Sequence, residues 1–440
     1  MQQYFKDLSD GIFGQCGANE KILLNLTGET SDFVRINHAK VRQPGTVNQN
    51  VVELKLIVGK KQASLSYTLS GNLQQDRGAL QSQLDSLRGA TAEVPDDPYL
   101  LFAEEMQSSH FVKTKEIPET QQLVSDVLQL AADVDLVGII TNGSMYRGFA
   151  NSMGQSNWFE THAFHCDWSM YLSDDKAVKK DFAGFKWDKE AFVPQWQSGL
   201  EQLEHMKKSP VTIKPGKYRV YLAPAAMQEL FSLLNWGSFG LNPIRTKQSP
   251  LRKWVEGAAS LSPMVSFRDD FKLGTVAGFS DVGFTRPDSV EICQAGQFAN
   301  AVVSPRSAKE FAVETTGAEQ GESILALSMD GGDIASADIV EKLEDGIYIN
   351  NLWYCNYSDR NQCRITGMTR FASFWVEKGQ IVGPLNVMRF DESMYNILGK
   401  NLVGLTQECE MALNNMTYGH RQTGSTRLPG ALVNDFAFTL

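Results

Sequence analysis

Hydrophobic and polar residues alternate through much of the first half of the chain, which is the periodicity of strands with one buried face. The segment KILLNLTGE places Ile22, Leu24 and Leu26 on one face. Two further alternating runs, VVELKLIV and ASLSYTLS, flank a short loop that contains Gly59. Two such runs around a short glycine-containing loop are typical of a β-hairpin. The pattern predicts an antiparallel sheet near the start of the chain.

Other segments of this half have helical spacing. In GALQSQLDSLRGA, Leu80, Leu84 and Leu87 recur on one helix face, and Gly89 is expected to stop the helix. PETQQLVSDVLQLAADV and WDKEAFVPQWQSGLEQLEHMKKS predict two more helices. Strands and helices together predict an N-terminal α+β domain over residues 1–210, built on an antiparallel sheet with helices.

Short alternating runs separated by turn residues dominate residues 211–440, among them SVEICQAGQFANAVVS, GIYINNLWYCNYS and ALVNDFAFTL. This pattern predicts an irregular, β-rich C-terminal domain that is barrel-like. One helix interrupts it, PAAMQELFSLLNWGSFG, which begins at Pro224 and is predicted over residues 224–237.

The predicted helix 224–237 carries a broad apolar stripe. Leucines and a phenylalanine recur at helical spacing, Trp236 is expected to extend the stripe, and Gly237 is expected to end the helix. The residues of the stripe are Leu230, Phe231, Leu233 and Leu234. The expected role of this helix is packing.

Composition restricts the function classes. The chain has 440 residues, which favours two or three domains, and a net charge of −10 that disfavours binding to nucleic acid. No run of 18 apolar residues and no secretory signal is present, so we expect a cytoplasmic protein without a membrane partner. The six cysteines form no Cys-x-x-Cys pair, so they are expected to be reduced thiols.

Candidate catalytic chemistry is sparse. HAFHCD contains His162, His165, Cys166 and Asp167. On a helix the two histidines could hold zinc, but the surrounding NWFETHAFHCDWSMYL alternates like a strand. No two of the six histidines are four or five positions apart, so a helix-based zinc peptidase motif is excluded. No Gly-x-Ser-x-Gly, P-loop or Rossmann glycine motif occurs either.

The loop YGHRQTGSTRLPG contains His420, Arg421 and Arg427. Loops on a rigid sheet often bind ligands, so a binding loop and an ordinary surface loop are both open interpretations.

Several segments, taken in order, resemble the TldD/PmbA family, historically called modulators of DNA gyrase. The segments SDFVRINHAKVRQPG, RGFANSMG, KPGKYRVYLAPAAMQELFSLL and SPMVSFRDDF are similar to family motifs. So is the long segment DGIYINNLWYCNYSDRNQCRITGMTRFASFWVEKGQIVGP. The resemblance extends over most of the chain.

The resemblance implies a link to proteolysis. TldD-type members are zinc peptidases that carry His-Glu-x-x-x-His on the helix that matches residues 224–237, and they pair with a TldE-type (PmbA-type) subunit around a closed chamber. Here that position reads SLLNWG, so Ser232 and Gly237 stand in place of the histidines and Leu233 in place of the glutamate. None of the three side chains can act as an imidazole ligand or a general base. In this respect the chain resembles the TldE type.

Three functions stay open at this point. The first is a non-catalytic subunit without a metal of its own, whose TldD-type partner holds zinc and which helps to process unfolded peptides; it could also be a homodimer. The second is a self-sufficient peptidase that uses residues such as His162, Cys166 or His420. The third is a stand-alone peptide-binding or regulatory homodimer.

The resemblance also suggests which strand forms the peptide-binding wall of the chamber. The strand in TGMTRFASFWV is the best candidate for the wall of the chamber. Arg364 and Arg370 could face peptide carboxylates there, and His420 and Arg421 are further candidates for contact with the peptide. Surface ion pairs are the alternative role for the two strand arginines.

Overall fold

A computed structural model describes residues 1–113, 116–173 and 176–439. The helices of this part of the chain are α1 (Gln2–Phe13), α2 (Leu73–Glu93), α3 (Thr120–Leu130), α4 (Lys189–Met206), α5 (Pro224–Leu234), α6 (Leu241–Arg245), α7 (Arg252–Val255), α8 (Pro305–Phe311) and α9 (Ile339–Leu343). None of the helices in these described ranges is long and apolar enough to cross a membrane.

The strands of the first sheet are β1 (Glu20–Asn37), β2 (Lys40–Val58), β3 (Lys61–Thr68), β4 (Ser109–Val112), β5 (Asp135–Asn151), β6 (Ser156–Ser173) and β7 (Lys176–Gly184). The strands of the second sheet are β8 (Gly216–Leu222), β9 (Phe267–Asp270), β10 (Ser289–Gln294), β11 (Gln297–Phe298), β12 (Ala326–Met329), β13 (Gly346–Asp359), β14 (Arg364–Glu377), β15 (Gln380–Pro384), β16 (Arg389–Ser393), β17 (Leu402–Leu413) and β18 (Ser425–Phe438).

The first sheet has the order β3-β2-β1-β5-β6, with both β4 and β7 paired to β6. The predicted hairpin is confirmed: β2 and β3 pair antiparallel across a turn at Gly59. Ile22, Leu24 and Leu26 are all buried and form one core with the inner faces of α1 and α2. The apolar positions of the alternating pattern therefore lie on the face of the sheet that α1 and α2 cover.

The predicted end of α2 at Gly89 is wrong, because the helix continues to Glu93. A glycine inside a helix costs only about 1 kcal/mol relative to alanine. The residues around it, Leu87 and Thr91, are buried against the sheet, so packing outweighs this cost. Asn72 fixes the other end, since its side chain accepts hydrogen bonds from the backbone N–H groups of Gln74 and Gln75.

The second sheet closes on itself. Strand β8 pairs with β13 on one side and with β18 on the other, and β13, β14, β16 and β18 pair in that order. This closed ring confirms the barrel-like, β-rich C-terminal half within an α+β protein. Its core contains the apolar stripe of α5.

A buried carboxyl group lies between β9 and β12. Asp269 is 2% exposed and accepts hydrogen bonds from the backbone N–H groups of Ala326 at 2.7 Å and Leu325 at 3.2 Å. Burial raises its pKa from 3.8 to about 6, although these hydrogen bonds oppose the shift. The unfolded chain loses this proton at lower pH than the folded chain does. The contribution of Asp269 to stability therefore falls as the pH rises from its ordinary pKa of 3.8 towards about 6.

Asp269→Asn should remove this pH dependence. We expect the free energy of unfolding of the wild type to fall between about pH 4 and pH 6 by about 1–3 kcal/mol more than that of the variant. Urea denaturation at several pH values measures the difference. Asp96→Asn, at an exposed position away from Asp269, is the control and should keep the wild-type slope. An Asp269→Asn slope equal to that of the wild type would contradict the assignment.

Candidate functional site

Helix α5 is the helix that, by the sequence resemblance described above, matches the zinc-motif helix of the TldD-type proteins. It begins with Pro224 at its first turn, where a missing N–H has no cost, and it follows directly on β8. The predicted apolar stripe is confirmed, since every member is at most 8% exposed. The side chains of α5 that are buried are Ala226, Met227, Leu230, Phe231, Leu233 and Leu234.

The predicted end of the helix is wrong. α5 ends at Leu234 rather than at residue 237, and Trp236 is 76% exposed instead of extending the stripe. Asn235 causes the stop: its side chain donates to the carbonyl of Ile324 and accepts from the N–H of Ile324, each at 2.8 Å. Gly237 then has φ +78°, a left-handed conformation that suits glycine. This turn directs Trp236 towards solvent.

The groups around the end of α5 are not activated for nucleophilic chemistry. The Tyr357 hydroxyl donates to the carbonyl of Leu233 at 3.3 Å, and the guanidinium of Arg360 lies over the Tyr357 ring at 5.1 Å. Burial, with a smaller contribution from the carboxylate of Glu229, raises the pKa of the Cys355 thiol to about 12. This thiol is therefore protonated at neutral pH.

The HAFHCD segment lies in β6, which confirms the strand interpretation. His162 lies between Ser144 Oγ at 3.0 Å and Asn142 Oδ1 at 3.1 Å. Cys166 is 2% exposed in the core, and burial raises the pKa of its thiol well above the usual value. His165 contacts Asp181 at 3.4 Å.

The two strand arginines have different surroundings. Arg364 Nη1 donates to the Asp391 carbonyl at 3.1 Å and lies 3.3 Å from Asp391 Oδ1, which is the predicted alternative of a surface ion pair. The guanidinium of Arg370 lies over the rings of Trp353 at 4.3 Å and Phe371 at 5.3 Å. Arg370 is exposed, so its donors are open to solvent.

The aromatic residues beside Arg370 lie in irregular backbone. Phe371 has φ +56° and Tyr354 on the paired strand has φ +58°, and the β13–β14 register shifts around both. Such left-handed conformations of bulky residues are costly and often occur at functional sites. Tyr354 is 75% exposed and Trp353 is 43% exposed. Together with the exposed Arg370 and the half-buried Phe371 they form a surface patch, here called the aromatic patch.

His420 and Arg421, the two loop residues predicted to contact a peptide, also differ in their surroundings. His420 is half-buried, whereas Arg421 is 6% exposed and fixes the loop to the first sheet. Its guanidinium donates to the carbonyls of Ala163 at 3.0 Å and Gly143 at 3.3 Å and to Ser31 Oγ at 3.2 Å. Burial lowers its pKa to about 10. The peptide-binding role of both residues stays a prediction.

A cavity of about 520 Å³, which the sequence did not reveal, lies between the first sheet and loop segments of the C-terminal half. Its floor is one face of β1, β2, β3 and β5, and its roof is formed by the segment 276–286 and the loop 420–423. Its ionisable residues are Glu29, Glu53, Arg147, Asp281, Arg286, Glu319 and His420. They come from distant parts of the chain and share no motif, so no local signal could have found them.

Two arginines of this cavity differ in their partners. All three nitrogens of Arg286 are bonded: it donates to the carbonyls of Ala277 and Gly317 and pairs with Glu319. Burial raises the pKa of Glu319 to about 7, against the attraction of Arg286. Arg147, by contrast, makes one hydrogen bond to the residues that the structure describes, from Nη1 to the Tyr146 carbonyl at 2.8 Å.

Comparison with known proteins identifies the family. The model of the PmbA/TldA metallopeptidase C-terminal domain matches residues 215–440, just over half of the chain. The chain belongs to the PmbA/TldD family. A search of curated proteins finds no significant match to this family member.

Solved structures share the fold of this PmbA/TldD-family chain. TldE from Thermococcus kodakarensis is 14% identical, and the alignment covers 99% of this chain and 100% of that one with a TM-score of 0.77. A candidate modulator of a DNA gyrase from Thermotoga maritima gives the same values. A similar protein from Bacteroides thetaiotaomicron is 15% identical, with coverage of 99% and 98% and a TM-score of 0.74. At these identities the likeness establishes the fold alone.

The residues of this PmbA/TldD-family chain do not fit a metal at α5. Ser232 is exposed on the helix, Leu233 is 8% exposed in the core, and Gly237 lies beyond the last helical residue. In residues 1–113, 116–173 and 176–439 no three His, Cys, Asp or Glu side chains are grouped to hold a metal ion.

Proposed function

We propose that the chain is a non-catalytic, TldE-type subunit of a TldD/TldE-type metalloprotease that processes or degrades unfolded peptides. The observation that carries this proposal is the replacement of a ligand set by packing residues. In a chain of a metallopeptidase family, Leu233 fills core space where the resemblance places a catalytic glutamate. A leucine can neither hold a metal nor accept a proton.

The proposal assigns zinc and the general base to a TldD-type partner in a cytoplasmic heterodimer. This chain would then complete the chamber and hold the peptide. The aromatic patch supports that role, because exposed aromatic rings and an arginine offer apolar contact and carboxylate binding at one place. Neither nucleic acid nor membrane is part of the proposed function.

The experiment is coexpression with a TldD-type subunit from the same source. We expect a stable heterodimer that degrades unfolded casein and holds zinc in the partner, while the isolated chain is free of zinc and inactive. Changing the glutamate of the partner's zinc motif to glutamine should abolish activity. A homodimer beside that partner, or zinc-dependent activity of the isolated chain, would overturn the proposal in favour of the regulatory or the self-sufficient alternative.

Arg370→Ala should weaken peptide capture by the assembled complex without unfolding this chain. We expect KM for an unfolded peptide to rise by about 3- to 10-fold with little change in kcat, because one charged contact is lost. Arg245→Ala, which removes another exposed arginine, is the control. An unchanged KM would remove Arg370 from the peptide site.

A further inference from the structure

The cavity between the first sheet and the loop segments contains polar groups that no hydrogen bond from the described residues satisfies. Glu29 lines the cavity and is 1% exposed. Its Oε1 accepts hydrogen bonds from Gln49 Nε2 at 2.7 Å and from the backbone N–H of Arg421 at 3.1 Å. Its Oε2 accepts none from any described residue. Buried carboxylate oxygens are normally paired, so this one needs a donor from elsewhere.

Arg147, on the same face of the sheet, has N–H donors without an acceptor among the described residues. Thr27 on β1 pairs with Arg147 on β5, and Glu29 is two residues further along β1, so Glu29 and Arg147 share one face of the sheet. Within the described ranges no carboxylate lies close enough to form an ion pair with Arg147, although Glu319 and Glu29 attract its charge from a distance. Burial lowers its pKa to about 10, so it is charged at neutral pH. Its remaining N–H groups can receive a carboxylate in a bidentate geometry.

The charge balance of the cavity narrows the class of ligand. Glu29, Glu53, Asp281 and Glu319 line it together with the guanidinium groups of Arg147 and Arg286. Glu319 pairs with Arg286, so Glu29, Glu53 and Asp281 remain opposite Arg147, and this excess of carboxyl groups disfavours a simple anion such as phosphate. A simple cation leaves the donors of Arg147 unused. A ligand with both an ammonium group and a carboxylate can pair with the carboxyl groups and with the guanidinium of Arg147 at the same time.

Hydrogen bonds within the chain hold the walls of the cavity in place. Arg286 fixes the roof by donating to the carbonyls of Ala277 and Gly317, and Asn25 Nδ2 on the floor donates to the carbonyl of Asp281 at 2.8 Å. Gln49 Nε2 also donates to the carbonyl of Gly419 at 2.7 Å, which fixes the loop beside the cavity. Fixed walls reduce the entropy lost on binding. A volume of about 520 Å³ is within the range of small-molecule sites.

We propose that this cavity binds a small zwitterion, a free amino acid or a short peptide with both ends free, with its carboxylate on Arg147 and its ammonium group near Glu29. The proposal does not depend on the proposed protease function, because it concerns this chain alone. It would stand even if the chain proved to have no protease partner.

Calorimetric titration of the isolated full chain tests this proposal, with alanine and the dipeptide Ala-Ala as probes. We expect saturable binding of at least one of them, and the tighter of the two identifies the source as a free amino acid or a peptide. N-acetyl-Ala-Ala lacks the ammonium group and Ala-Ala-amide lacks the carboxylate. Each should bind about 10- to 100-fold more weakly than Ala-Ala, since each loses a charged hydrogen-bonding group.

Variants locate the site. Arg147→Met should weaken binding of the preferred probe by about 10-fold or more, and Arg35→Met, an exposed arginine on β1 outside the cavity, should not. If Arg147→Met does not fold, Arg147→Lys replaces it and should still weaken binding several-fold, because lysine lacks the planar fork. The proposal is overturned if neither probe saturates at millimolar concentration, if the blocked peptides bind as well as Ala-Ala, or if the arginine variants bind normally.

Discussion

Replacing Leu233 by glutamate should lower the free energy of unfolding by about 3–5 kcal/mol, because the change removes a buried leucine and places a carboxylate in its core. Leu233 is 8% exposed among the apolar side chains that join α5 to the second sheet. The substitution introduces the residue type that the resemblance places here in zinc peptidases. A glutamate at this position is therefore expected to conflict with the packing of this chain.

Ser232→Glu is the matched control, since Ser232 is the exposed preceding residue on the same helix. It adds the same charge one position away and should change stability by no more than about 0.5 kcal/mol. Urea denaturation of the two variants measures the difference. Equal stability would show that the site tolerates a carboxylate and that the missing motif does not reflect packing.

A histidine at position 237 faces a separate obstacle. Gly237 has φ +78°, and a residue with a side chain costs roughly 1–2 kcal/mol in the left-handed region. The helix has also ended at Leu234, so positions 232 and 237 are not on one continuous helix. Inserting the zinc motif into this chain is therefore expected to destabilise it without producing peptidase activity.

Arg421→Met should be the other strongly destabilising change, by about 2–4 kcal/mol, because it leaves buried acceptors without a donor. The guanidinium donates to the carbonyls of Gly143 and Ala163 and to Ser31 Oγ in the first sheet. Since Arg421 belongs to the loop before β18, these bonds tie the C-terminal half to the N-terminal half. Losing them weakens the contact between the two sheets.

Arg427→Met is the control for this change, since it alters the same residue type nearby at a half-buried position in β18. It should cost less than about 1 kcal/mol, as its guanidinium makes no hydrogen bond to the described side chains or backbone. Thermal and urea unfolding measure both variants. If Arg421→Met is as stable as the control, Arg421 does not fix the interface and is free to contact a ligand.

Helix α5 shows which features of a helix the local sequence pattern can predict. Periodicity in the sequence correctly predicted its start at Pro224 and its buried stripe, since both depend on residues within the helix. It failed at Trp236, which it assigned to the stripe. The end of the helix depends on hydrogen bonds between Asn235 and Ile324, 89 residues away, and no local pattern records such a partner.

The sequence by itself determined the strand alternation, the hairpin at Gly59, the barrel-like second half and the absence of imidazole ligands at positions 232 and 237. These features follow from residue types at fixed short spacing. The tertiary structure alone decided that Arg421 is a buried clamp and that Glu29 and Arg147 line one cavity. Arg421 and Glu29 are 392 residues apart, and only strand register and the packing of two sheets bring them into contact.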